Sequence, residues 1–253
     1  MQRDIVRAES LTVSFDGFRA LNRLDFSMKE GELRVVIGPN GAGKTTLLDA
    51  ICGQVVPDEG RVLFKEQDLR GMREDDIVHL GVGRKFQTPS IYRNHTVFEN
   101  LELAYKAKKT VFSTLIARRT PKLVEQVHGI LAVIGLTEKS HHRAGSLSHG
   151  EKQWLEIGMV IVQDPDLMLI DEPVAGMTDE ESERTGELLL SIAQDQAILV
   201  IEHDMTFVRQ IAQTVTVLHE GALLCEGSVE QVQRDPRVIE IYLGRERRSR
   251  VEH

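Results

Sequence analysis

Apolar and polar residues alternate twice near the start of the chain. Leu11, Val13 and Phe15 form one alternating set, and Leu24, Phe26 and Met28 form another. Asp16-Gly17 and Glu30-Gly31 supply a turn after each, so the pattern predicts antiparallel strands. A third alternating stretch, Leu33, Val35 and Ile37, runs through a glycine-rich segment into Leu47-Leu48-Asp49-Ala50-Ile51, which reads as a helix closed by Gly53. Pro57-Asp58-Glu59-Gly60 then turns the chain into a short strand, Arg61–Phe64.

From about Thr96 to Gln163 the texture becomes helical. Thr96-Val97-Phe98-Glu99 is a capping box that opens one helix. Thr120-Pro121 opens a second, with Val124, Val127, Leu131 and Ile134 on one face and Gly135 just past its end. Ser148-His149-Gly150-Glu151 is another capping box, and its helix must stop near Asp164-Pro165. Alternating α/β texture then returns. Leu167–Ile170 and Ala197–Ile201 are almost wholly apolar, as strands buried on both faces are. Between them Thr178-Asp179-Glu180-Glu181 caps a helix carrying Leu188, Leu189 and Ile192. Val215–Leu218, Glu220-Gly221 and Ala222–Cys225 make a closing hairpin. The pattern predicts an α/β core with a small antiparallel β subdomain and an inserted α-helical subdomain.

The glycine-rich segment carries the clearest chemistry. Gly38-Pro39-Asn40-Gly41-Ala42-Gly43-Lys44-Thr45-Thr46 fits G-x-x-x-x-G-K-[ST], and it lies between a strand and a helix, where that spacing makes a phosphate-binding loop. The glycines allow backbone N–H groups to turn inward around an anion, and the helix N-terminus adds partial positive charge. Lys44 supplies a compact cation for the outer phosphates, and the Thr45 hydroxyl is placed for Mg²⁺. The core is therefore of P-loop NTPase type, and the expected ligand is a nucleoside triphosphate.

Composition narrows this reading only at its edges. With 253 residues, 41% hydrophobic and 28% charged, the chain suits one large α/β domain. A formal net charge of -8 argues against a nucleic-acid partner. Cys52 and Cys225 lie far apart with no metal-like spacing, which predicts two reduced thiols. No apolar run approaches a bilayer span, and Met1–Asp4 leads into no hydrophobic signal region. Any link to a membrane is expected to go through a partner. The histidines, including His141-His142, have no metal spacing and are expected to be exposed. Met159, Met168, Met177 and Met205 read as packing residues. Residues 1–244 are expected to form a single domain whose helical part spans about 88–163. The basic stretch 245–253, with Arg245, Arg247, Arg248 and Arg250, is expected to be a flexible tail.

Leu167-Met168-Leu169-Ile170-Asp171-Glu172 is an apolar strand ending in two carboxylates. Beside a phosphate loop, Asp171 is placed to hold Mg²⁺ directly or through water, and Glu172 to accept a proton from attacking water. Ser148 starts a helix whose N-terminus, with its hydroxyl cap, is an anion site.

Leu147–Glu151 resembles the L-S-G-G-Q signature of the ATP-binding-cassette family, and the resemblance extends roughly from Leu11 to Gly244. It implies that Ser148 and the Gly150 backbone bind the γ-phosphate held by an opposite subunit, and that Phe15 stacks on adenine. It also implies that Gln87 is the Q-loop glutamine touching Mg²⁺, that Ala175–Asp179 is the D-loop, and that His203 is the switch histidine. Singly, Phe15 reads as core, Gln87 as a solvated loop residue and His203 as a strand-end histidine; their order beside the phosphate loop favours the functional roles. Two positions depart from the signature: His149 replaces a glycine and Glu151 replaces the glutamine. His149 is read as a tolerated surface residue, with a pH-sensitive contact as the alternative.

The resemblance implies an ATP hydrolase using Mg²⁺, in which Lys44, Glu172, His203 and Gln87 act on ATP and two cassettes sandwich two nucleotides. Similarity is greater to ATPases serving branched-chain amino acid and urea uptake. Trp154–Met159, Pro173–Asp179 and Glu202–Val208 look most like the urea member. The implied partners are transmembrane permease subunits, a second ATPase subunit as a heterodimer or homodimer, and indirectly a periplasmic solute-binding protein. The implied location is the cytoplasmic face of the membrane. Urea import is the expectation; branched-chain amino acid import, lipid or lipopolysaccharide export, a soluble clamp and a module without turnover are the alternatives. Asp171, Glu172 and His203 argue against the last.

Overall fold

The computed structural model describes residues 3–85, 91–107 and 120–241. Gln87 and the basic stretch 245–253 therefore lie outside the described residues.

Two sheets organise the molecule. The first is antiparallel, in the order β2 (Phe18–Lys29), β1 (Asp4–Phe15), β4 (Glu59–Phe64), β5 (Gln67–Asp68). The second has the order β10 (Ala222–Gly227), β9 (Thr214–His219), β3 (Leu33–Ile37), β8 (Ala197–Ile201), β7 (Leu167–Asp171), β6 (Val82–Lys85). Strands β9, β3, β8, β7 and β6 are parallel, and only β10 runs antiparallel, as the hairpin partner of β9.

The apolar runs noted in the sequence divide between two cores. Leu33, Val35 and Ile37 of β3, Met168 and Ile170 of β7, and Ile198 and Val200 of β8 face one side. There they meet α3 (Val97–Ala107), α4 (Pro121–Val133), α5 (His149–Ile161) and α6 (Asp179–Ile192). The alternate residues, Val36, Leu167, Leu169, Ala197, Leu199 and Ile201, face the other side. They pack with α1 (Lys44–Ile51) and with the inner face of the antiparallel sheet. A strand that feeds two cores has no polar face, so its sequence reads as one apolar run. Among the described residues, the chain between β6 and β7 is helical, built from α3, α4, α5 and two short 3₁₀ turns. Free thiols are found at both cysteines, Cys52 buried and Cys225 half-buried.

The antiparallel strands are longer than the alternation suggests. Strand β1 begins at Asp4 rather than near Leu11, and β2 begins at Phe18 rather than near Leu24. Ser10 and Arg23 take positive φ of 47° and 48°, and the β1–β2 register shifts between Ala8 and Leu11 and again before Val13. Bulges of this kind insert a residue and so break the period of two. The turn between the strands is a two-residue hairpin with φ 49° at Asp16 and 86° at Gly17, the conformation that Asp-Gly favours. On α4 the buried face is Leu123, Val127 and Leu131, with Val124 only partly covered. Three short helices carried no clear period in the sequence: α2 (Glu74–Leu80), α7 (Met205–Ile211) and α8 (Val229–Arg234).

Candidate active site

The phosphate loop joins β3 to α1 and is braced from behind. Gly43 is the N-cap of α1 at φ 97°, and a Cβ there would lie 2.5 Å from the Ala20 carbonyl of β2, so only glycine fits. A Cβ at Gly38 would run into the Leu218 carbonyl. Gly221, in the β9–β10 turn, donates its N–H to the Ala42 carbonyl at 3.1 Å, and Ala42 donates to the Pro39 carbonyl at 3.1 Å. Lys44 Nζ donates to the Gly38 and Pro39 carbonyls at 2.8 and 3.1 Å, which keeps the ammonium over the loop. Asn40 and Gly41 are exposed, and Thr46 is half-buried. The loop thus exposes its tip, Asn40 and Gly41, at the start of an eight-residue helix, an arrangement suited to polyphosphate.

The carboxylates reach this loop because adjacent parallel strands end together. Strands β3, β8 and β7 are neighbours, so Gly38, Glu202 and Asp171 all emerge at one carboxyl edge. Asp171 is 3% exposed, and its Oδ2 lies 3.5 Å from the Thr45 hydroxyl. Burial pushes its carboxyl upward, and the Glu172 charge adds to this, while Arg84 and Lys85 oppose it. A hydroxyl and a carboxylate form a hard oxygen pair of the kind Mg²⁺ takes alongside phosphate oxygens. Among the described residues no three His, Cys, Asp or Glu side chains group to hold a metal unaided, so bound phosphate would supply the remaining oxygens.

Glu172 follows at φ 45°, in the left-handed region uncommon for a residue with a side chain, and its N–H donates to the Ile201 carbonyl at 3.0 Å. That turn swings its carboxylate away from Asp171 toward His203, whose Nδ1 lies 3.5 Å from Glu172 Oε1. His203 is exposed, on the turn after β8. Beneath it Glu202, 1% exposed, accepts the backbone N–H of His203 at 2.7 Å and of Asp204 at 3.1 Å, and also that of Val174. Burial raises the proton affinity of Glu202, and those N–H bonds hold it back.

Ser148 caps α5 as the sequence indicates. Its hydroxyl accepts Glu151 N–H at 3.2 Å, and Glu151 Oε2 accepts Ser148 N–H at 3.0 Å. The Ser148 hydroxyl also lies 3.5 Å from Glu181 Oε1, and His149 Nε2 is 3.0 Å from the Ala175 carbonyl. Lys139 pairs with Glu151. Gly150 is buried, and a Cβ there would strike the Glu181 carboxylate, which belongs to the capping box of α6. The missing side chain thus has a reason inside this chain besides any approach to phosphate.

The structure therefore brings Gly38–Thr46, Asp171, Glu172 and His203 to one edge. Ser148 and Gly150 instead meet Glu181 of their own chain, and His149 between them meets the Ala175 carbonyl. Phe15 is 47% exposed at the hairpin tip, which rules out the core alternative for it, and Phe18 across the turn is 63% exposed. Sequence reasoning passed over Phe18, Lys85, Glu156 and Glu202. Phe18 had a findable signal, being paired with Phe15 around Asp-Gly; the buried charges had none.

Comparison with known proteins follows this geometry. A family model described as "ABC transporter" matches residues 21–175, and one described as "Branched-chain amino acid ATP-binding cassette transporter" matches residues 222–248. The high-affinity branched-chain amino acid transport ATP-binding protein LivG of Escherichia coli (strain K12) is 33% identical over 253 residues, covering 96% of this chain and 99% of LivG. BraF of Pseudomonas aeruginosa, of the same description, is 32% identical over 96% of this chain and 99% of its own length. A nucleotide-free ATP-binding cassette from an ABC transporter superposes with a TM-score of 0.84 at 30% identity, over 95% of this chain and 99% of that one. A cassette solved in its ADP conformation gives a TM-score of 0.84 at 30% identity, covering 96% and 99%.

Proposed function

Because the chain belongs to the ATP-binding-cassette transporter family and is an ATP hydrolase of the branched-chain amino acid group, we propose that it powers a solute importer whose cargo is a branched-chain amino acid. The observation that carries this is the match of residues 222–248, beyond the general cassette, to the branched-chain amino acid transporter family. LivG and BraF, similar along nearly their whole lengths, bear names of that same transport. Urea is the second reading. It rests on the wording of three stretches, Trp154–Met159, Pro173–Asp179 and Glu202–Val208.

In this reading the backbone of residues 38–46 and Lys44 bind the ATP phosphates, and Phe15 offers its exposed ring to adenine. Thr45 and Asp171 would hold Mg²⁺, which supplies charge neutralisation at the β- and γ-phosphates. Glu172 takes the proton of the attacking water, while His203, 3.5 Å away, holds the γ-phosphate side of the site. Gln87, outside the described residues, would complete the metal and permease-facing loop. Ser148 and Gly150 would serve the nucleotide of a second cassette, in a homodimer or a heterodimer. The segment of about 88–163 would dock permease subunits at the inner membrane face. No helix among the described residues is long and apolar enough to cross a membrane, so attachment falls to those subunits. A solute-binding protein outside the membrane would deliver cargo without touching this chain.

Deleting the gene should abolish high-affinity uptake of labelled leucine and leave urea uptake intact. Loss of urea uptake with leucine uptake preserved would transfer the assignment to the second reading. Loss of neither would remove both cargoes.

A further inference from the structure

The carboxyl edge stands on a buried charge cluster around Lys85, a residue that the hydrolytic chemistry does not use. Lys85 ends β6 and is 2% exposed; Glu156, in the middle of α5, is 6% exposed, and Glu202 is 1% exposed. Lys85 Nζ lies 3.8 Å from Glu156 Oε2, and Asp171 and Glu202 both act on it electrostatically. Lys85 therefore pairs with a carboxylate of the signature helix α5 and feels those at the ends of β7 and β8, while burial, the largest influence, lowers its hold on the proton. Its Nζ makes no hydrogen bond among the described residues, so its hold on Glu156 is through space.

Glu202 makes this cluster matter for chemistry. Its carboxylate gathers the N–H groups of His203, Asp204 and Val174, so it ties the His203 turn to the segment just after Glu172. Three buried carboxylates of like charge repel one another strongly at low dielectric unless a cation sits among them. Lys85 sits there from below, and the phosphate loop lies on a different strand, β3.

We infer that Lys85 is a positioning residue for hydrolysis: its buried ammonium holds α5 and the Glu202 turn together, and so sets His203 against Glu172. The effect reaches the reacting atoms through Glu202 and α5, because Lys85 itself is buried away from the surface of the site. Misplacing a reactive group by about 1 Å is enough to slow a reaction ~10²-fold. The inference rests on the roles given above to Glu172 and His203.

The test uses the full chain with Lys85→Met, measuring affinity for a fluorescent ATP analogue together with kcat and KM for ATP. The expected result is a kcat lower by about tenfold or more, with KM and affinity near wild type. Adding Glu156→Gln to Lys85→Met should then restore part of the lost kcat, because it removes the buried negative charge that Lys85 offset. An unchanged kcat, a matching fall in affinity, or no recovery in the double variant would overturn the inference. If Lys85→Met fails to fold, Lys85→Met/Glu156→Leu lacks both charges and is measured alone. Reduced kcat at normal affinity then supports the role, and wild-type kcat overturns it. Glu172→Gln runs alongside: substantial turnover there would defeat the assignment of Glu172 itself, a failure separate from that of Lys85.

Discussion

At the scale of single residues, the proposed function divides the work between Lys44 and Glu172. Lys44 reaches back over the loop to the Gly38 and Pro39 carbonyls, so its charge already stands where phosphate oxygens would gather. Removing a charged hydrogen-bonding group of this kind costs about 1.5–3 kcal/mol. Lys44→Ala should therefore weaken ATP affinity by ~10- to 100-fold, read by titration calorimetry; unchanged affinity would take Lys44 out of the site. Glu172 contributes differently. Its left-handed turn aims the carboxylate at His203, and a general base supplies about 10²–10⁴-fold in rate. Glu172→Gln should bind ATP normally and lose kcat by that order; near-normal turnover would show that another group takes the proton.

At the scale of elements, the site depends on helix ends and strand ends more than on helix bodies. The capping boxes at Thr96, Ser148, Thr178 and Ser228 each satisfy N–H groups that a helix start leaves open. Ser148 and Thr178 also place α5 and α6 so that Gly150 and Glu181 touch, which makes those caps part of the site's geometry. Ser228 offers a cleaner measurement, because α8 lies away from the carboxyl edge. Ser228→Ala should lower unfolding free energy by about 1 kcal/mol, read from urea denaturation, with ATPase activity unchanged. An unchanged midpoint would mean that solvent serves the Gln231 N–H as well as the serine does.

At the scale of the whole molecule, the proposed function makes the site incomplete within one chain. Asp171, Glu172 and His203 share the carboxyl edge with the phosphate loop, whereas Ser148 and Gly150 meet Glu181 and His149 meets Ala175. A nucleotide is then the natural bridge between the loop of one chain and the helix start of another. The isolated protein should be monomeric without nucleotide, and Glu172→Gln with ATP should form a dimer by light scattering, since unhydrolysed γ-phosphate stays in place. A stable dimer in nucleotide-free buffer would require a different interface.

What the sequence determined by itself is what short stretches of backbone decide. Gly38–Thr46 encodes its loop through glycine placement, the capping segments at Thr96, Ser148 and Thr178 encode helix starts through reach over three residues, and the apolar runs mark β7 and β8 as doubly buried. Asp171 and Glu172 were legible because they close such a run. The tertiary structure alone decided the rest. Ser10 and Arg23 break the strand period through bulges set by pairing with neighbours, so β1 and β2 looked shorter than they are. Glu181 blocks any side chain at Gly150 from thirty-one positions away. Lys85, Glu156 and Glu202 meet in the interior only because β6, α5 and β8 stack there. Their attraction acts through space at low dielectric, and no local pattern records a distance across the fold.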